Sequence, residues 1–181
     1  MQSSIKHLLK HFALVLKAKL NQLKPFVLFV FQPSTLLHLP IYRIIKGLHI
    51  QTFFILLYAS FSCPYILEQK EWLARELESP EFRAASFRVV LSHIPFGKGS
   101  WYGSERLRKQ LLPLLESVRI DLMLSGHNHA FGFMDKGKVT AFPIIVNSNN
   151  SVLTMFGSKD LLKVQVKQID GKVLLEKEFS K

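Results

Sequence analysis

Phe87-Arg88-Val89-Val90-Leu91-Ser92-His93-Ile94-Pro95 and Ile120-Asp121-Leu122-Met123-Leu124-Ser125-Gly126-His127-Asn128-His129 decide how this chain is read. Each holds a short, nearly continuous apolar run, the pattern of a strand buried on both faces in a parallel sheet. Each then ends in histidine. In open α/β sheets, ligands gather at the carboxyl ends of the strands, where loops present side chains to one crevice. His93 follows the first strand directly. His127 and His129 follow the second through Gly126, whose missing Cβ opens backbone angles that other residues avoid. Alternate residues of an extended loop aim two imidazoles at neighbouring positions, and neutral imidazole is a ligand for Zn, Fe, Mn or Ni. Against this stands a plainer reading. Seven histidines in the chain allow one His-x-His by chance, and a lone His93 is more often structural than a ligand.

The surrounding sequence supports the strand assignments. Upstream, Leu67 to Leu77 is rich in good helix formers, with Ile66, Leu73 and Leu77 on one face and Ser79-Pro80 as a stop. After His93 comes a Gly-containing loop, Gly97 to Gly103, which carries Trp101 and Tyr102. Leu107, Leu111, Leu114, Leu115 and Val118 then recur at helical spacing, and Pro113 among them predicts a kink or a break. Ala141 to Val146 reads as a further strand. Leu162, Val164 and Val166 alternate, Asp170-Gly171 predicts a type I′ turn, and Val173 and Leu175 resume the alternation, which together give a β-hairpin. Strand, helix, strand with apolar strands indicates an α/β layered core.

The two histidine-ended blocks resemble the last two metal-binding blocks of the calcineurin-like metallophosphoesterases, a superfamily that includes the purple acid phosphatases. The similarity extends over the Gln69-Lys70-Glu71-Trp72-Leu73 helix and the Phe142-Pro143-Ile144-Ile145-Val146 strand, from roughly Gln69 to Asn150. The resemblance implies part of a four-layer α/β/β/α sandwich and metal-dependent hydrolysis of phosphate mono- or diesters. It implies that His93 and His127 ligate one divalent transition metal (Mn, Fe or Zn) and His129 a second, with Gly126 shaping the loop. Trp101 and Tyr102 would line the substrate crevice, or simply cap the core. In the family, two metals clamp the phosphate ester and lower the pKa of the attacking water. The family also uses an Asp-x-His, a Gly-Asp-x-x-Asp and a Gly-Asn-His-Asp/Glu block ahead of these histidines, and none is present. The resemblance therefore implies the C-terminal half of such a domain. Three readings stay open: a phosphoesterase completed by another chain or a longer parent, an inactive fragment or pseudoenzyme holding one metal on three histidines, and a membrane-anchored protein with a soluble module.

The bulk charge sharpens this. The net charge of +11 divides unevenly: residues 1 to 67 hold seven Lys/Arg and no acid, whereas all thirteen acids lie between Glu68 and Glu178 beside seventeen Lys/Arg. The chain reads as two pieces, an acid-free basic and apolar segment over 1–64 and a phosphoesterase-like portion over 65–181. For the first piece, Gly47 to Leu67 offers 21 residues without formal charge, long enough for a membrane span or contact but diluted by His49, Gln51, Ser60, Ser62 and Pro64. Lys17, Lys19 and Lys24 interrupt the early apolar stretch and argue against a secretory signal, which leaves cytoplasmic and membrane-associated locations open. Lack of acids and of periodicity also fits translation of a neighbouring frame. Nucleic-acid binding finds no reading motif among these lysines. Cys63 stands alone, which excludes an intrachain disulfide. An incomplete sandwich leaves sheet edges exposed, and self-association through them is expected.

Overall fold

Phe87–Ser92 and Leu122–Ser125 lie side by side in parallel, Val89 opposite Leu122 and Ser92 opposite Ser125. A computed structural model describes residues 25–26, 52–57, 63–97 and 104–181. In chain order these form β1 (Pro25–Phe26), β2 (Thr52–Leu57), α1 (Cys63–Leu77), α2 (Pro80–Ala84), β3 (Phe87–Ser92), α3 (Ser104–Glu116), β4 (Leu122–Ser125), β5 (Gly132–Met134), β6 (Ile144–Val146), β7 (Ser151–Gly157), β8 (Leu161–Gln168) and β9 (Val173–Ser180).

Two sheets result. The first has the order β2-β3-β4-β6-β5, parallel except for β5; the second has the order β1-β7-β8-β9 and its pairings are antiparallel. Because successive side chains of a strand point to opposite faces, each strand of the first sheet feeds two cores. Val90, Met123, Ile144 and Val146 pack under the helices with Leu73, Leu107, Leu111 and Leu115. Phe87, Val89, Leu91, Leu122, Leu124 and Ile145 face the other way, onto Leu153, Met155, Leu162, Val164 and Val166 of the second sheet. Helices, sheet and sheet thus form three layers of an α/β/β arrangement. Strand β2 lies inside the segment 1–64 and pairs along its full length with β3, Thr52 opposite Phe87 through Leu57 opposite Ser92. The middle of the apolar run offered as a membrane span is therefore strand, and no helix among the described residues is long and apolar enough to cross a membrane.

Three local expectations need correction. Pro113 does not break its helix: α3 runs through it to Glu116, and the carbonyl of Pro113 accepts from Ser117 N at 3.1 Å. Proline removes only its own donor, and the apolar face on either side of it is buried and holds the helix together. The strand expected over 141–146 begins only at Ile144. The hairpin forms, but not through a type I′ turn, which needs positive φ at both central residues. Only Gly171 is left-handed, at φ +99°, and its N–H closes the turn on the carbonyl of Gln168 at 2.9 Å. The connection is a β-turn followed by a left-handed glycine, and the pairing slips by one residue at Val166/Lys167.

At the outer edge of the second sheet, β9 places Lys177 opposite the buried Val164, on the inward side, with its ammonium 4.9 Å from the centre of the Phe133 ring. The outward side carries Glu176 and Glu178, which hold Lys163 at 2.7 and 3.1 Å.

Candidate functional site

The carboxyl ends of β3, β4 and β6 stop in one row, Ser92 beside Ser125 beside Val146. The next residues of those three strands are His93, Gly126 and Asn147. The ladder continues one step beyond the strands: Gly126 N donates to the carbonyl of His93 at 3.1 Å, and Asn147 N donates to that of Ser125 at 2.8 Å. Parallel pairing alone thus brings His93, Gly126 and Asn147 to one edge of the sheet.

The loop that follows is tighter than an extended one. Asn128 N donates to the carbonyl of Gly126 at 2.8 Å, closing a three-residue turn on His127. His127 sits at φ +68° and His129 at φ +57°. A γ-turn with positive φ at its centre is the rare, strained hand, and L-residues pay for left-handed backbone through the contact of Cβ with carbonyl oxygen. Gly126 is not the left-handed residue here: its φ is not positive, and a Cβ built on it would meet nothing within 4 Å. The sequence placed the conformational demand on the glycine; the chain places it on the two histidines.

This turn brings His127 Nδ1 to 3.1 Å from His93 Nε2, with the rings edge to face at 86° and their centres 5.0 Å apart. Burial lowers the pKa of His93 below the ordinary imidazole value, and the charges of His127 and then His129 lower it further. His127 is lowered in the same way, by burial first and His129 second. Both shifts favour the neutral imidazoles, and the 3.1 Å contact is a hydrogen bond in which one ring's N–H donates to the other ring's nitrogen, the donor depending on the tautomer. His129 is exposed, close enough for its charge to act on both rings.

Whether these residues fit a metal can be judged from the nitrogen separation. Two nitrogens at about 2.0–2.1 Å from one zinc lie about 2.9–3.4 Å apart for bond angles between octahedral and tetrahedral. The observed 3.1 Å fits one shared ion. A pair of divalent ions would need carboxylate ligands beyond these three histidines. All thirteen carboxylates fall within the described residues, and there no group of three or more His, Cys, Asp or Glu side chains converges as a metal set. Two dications on imidazoles alone lack charge compensation.

Other residues singled out by sequence fall as follows. Trp101 and Tyr102 lie outside the described residues. On α3, the helix that the sequence did set out, Arg108 turns inward and donates to the carbonyl of Phe96, fastening the helix to the segment after His93. Two features escaped the sequence. The Ser125 hydroxyl is buried without a partner directly before the histidine turn. Asn147, directly after β6, is buried and bonded into a polar cluster with Ser151.

Comparison with known proteins agrees with this arrangement. The chain is 30% identical over 82 residues to purple acid phosphatase 22 of Arabidopsis thaliana, covering 41% of this chain and 17% of the relative. In three dimensions it is similar to a purple acid phosphatase from yellow lupin (Lupinus luteus) seeds, with a TM-score of 0.58 at 13% identity over 72% of this chain and 31% of that one. The chain thus spans less than a third of the length of either, and the second likeness is one of fold. The profile of the calcineurin-like phosphoesterase family matches residues 12–131, which starts within the acid-free segment and ends two residues past His129. The match covers well over half of the sequence, and the chain belongs to the calcineurin-like phosphoesterase family.

Proposed function

We propose that this chain carries the histidine part of a metal-dependent phosphoesterase site. In this reading His93 and His127 bind one divalent transition ion, and His129 stands ready for a second. The observation that supports it is the pair of neutral ring nitrogens held 3.1 Å apart at the carboxyl edge of the sheet. A bound ion would act there as a Lewis acid toward a phosphate ester and its attacking water. The chain's own residues contribute the geometry: the ladder from β3 to β6 fixes the loop, the strained turn brings His127 to His93, and burial disfavours protonation of both rings.

Hydrolysis of phosphate mono- or diesters asks for more than this chain supplies. None of its carboxylates joins the histidines among the described residues, so the acidic ligands of a dinuclear site would come from another chain or from a longer parent protein. The same observation favours a second reading, a protein that keeps one metal and no turnover. One experiment separates the two. Manganese- or zinc-dependent hydrolysis of an aryl phosphate diester is measured beside the His127→Ala/His129→Ala double variant, with metal uptake followed by calorimetry. Turnover lost in the variant supports the enzyme. Metal uptake without turnover supports the single-ion protein, and a chain that binds no metal sinks both.

A further inference from the structure

The turn from Asn147 to Ser151 carries the chain from β6 in the first sheet to β7 in the second, and it is unusually well bonded for a connection. Asn147, Ser148 and Ser151 are 6%, 8% and 6% exposed. Both ends of the Asn147 side chain are used: Nδ2 donates to the carbonyl of Ser151 at 3.0 Å, and Oδ1 accepts from the Ser151 hydroxyl at 2.7 Å. Ser148 N donates to the same hydroxyl at 3.2 Å, and its own Oγ lies 2.6 Å from it. Ile169 N, at the tip of the β8–β9 hairpin, donates to the carbonyl of Asn150 at 2.9 Å.

What this cluster holds is the peptide unit that enters the histidine turn. The Ser125–Gly126 peptide is bonded on both sides: its carbonyl accepts from Asn147 N, and its N–H donates to the carbonyl of His93. The next residue is His127, in the strained hand of its turn. A strained backbone persists only where its surroundings over-determine it. Asn147 lies one step beyond the end of β6, where the bond of its N–H to Ser125 is the last of the ladder, and its side-chain bonds to Ser151 hold it there.

We propose that Asn147 is a positioning residue for His127, locking the Ser125–Gly126 peptide so that the His127 ring is presented to His93. The proposal deepens the metal-site reading and rests on it for its use, though its geometric core can be read without metal. Nitrogen-15-labelled full-length chain is compared with its variants by long-range proton–nitrogen spectra of the imidazole rings, first metal-free and then with zinc as the probe. Asn147→Ala is expected to shift the His127 amide and ring signals and to weaken zinc binding about tenfold or more, as loss of an orienting partner does. Ser151→Ala removes the hydroxyl but leaves the carbonyl bond to Asn147, so a smaller shift of the same sign is expected. It also gives the readout should Asn147→Ala not fold. Leu162→Ala, in the core of the second sheet and distant from the turn, is expected to lower stability and leave both rings unmoved. Unmoved His127 signals in folded Asn147→Ala or Ser151→Ala protein overturn the proposal, as does an equal shift in Leu162→Ala. A wild-type chain that fails to bind zinc overturns the metal reading alone, and the metal-free ring shifts then still decide the role of Asn147.

Discussion

Replacing His129 by glycine should stabilise the metal-free protein. His129 is exposed, so its truncation removes little packing, yet its backbone is left-handed at φ +57°. For an L-residue that conformation costs about 1–2 kcal/mol, and glycine does not incur it. Glycine also gains freedom in the unfolded chain, which takes back about 0.4–1 kcal/mol. The net gain is about 0.5–1 kcal/mol. At about 2–4 °C per kcal/mol for a domain of this size, the melting temperature should rise by about 1–4 °C. His129→Ala is the matched control, because alanine loses the ring and keeps the strain. Thermal melts followed by circular dichroism with chelator present, at pH 7.5, read the difference. If His129→Gly melts no higher than His129→Ala, the left-handed backbone stores no usable strain and the argument fails. The same substitution should abolish any contribution of this ring to metal binding, so stability and site chemistry would move in opposite directions.

Acid should weaken the fold through the histidine pair. Folded His93 and His127 resist protonation, whereas their unfolded counterparts take up protons near pH 6.5. Their contribution is complete above about pH 6.5 and is lost as pH falls through the lowered folded values. Urea unfolding at pH 7.5 and 5.5 measures this, and His93→Asn/His127→Asn should flatten the difference. Pro113→Ala should stabilise α3 by about 2–2.6 kcal/mol, the helix-interior proline cost less the unfolded-state entropy that proline saves; an unchanged urea midpoint would show that the helix had already adapted. Gly171→Ala should destabilise by about 1 kcal/mol, because an added Cβ meets only ordinary contact at Lys167 but the backbone stays at φ +99°. Equal stability of that variant would mean that the turn relaxes to another form.

The sequence made the centre of the fold readable because burial on both faces leaves a blunt signature. Phe87, Val89, Val90 and Leu91 are fully buried, and strand β3 falls where that apolar run predicts. The same signature hid β2. Thr52 to Leu57 sits in a longer uncharged stretch, and continuous apolar character without alternation cannot separate a buried parallel strand from other apolar segments. Strand β7 was masked differently: Ser151 occupies an inward position, so the alternation through Leu153 and Met155 starts on a polar residue. At the site, the residue types were legible and the backbone was not. His93 and His127 could be named from their places after two strands. The left-handed angles of His127 and His129 break the usual preference for glycine, and no local pattern signals a strain that the β3-to-β6 ladder imposes from outside.

Lys177 has a bearing on how this protein meets copies of itself. A strand added beside β9 would extend the inner apolar layer over the Lys177 ammonium, stripping its water with only the Phe133 face in return. The slip in register at Val166/Lys167 twists that margin further from the flat template that a newcomer needs. The sandwich therefore has a guarded margin at β9, while β2 carries no charged residue at all. Aggregation that starts from the folded state should not propagate through β9, and Lys177→Leu should remove that block.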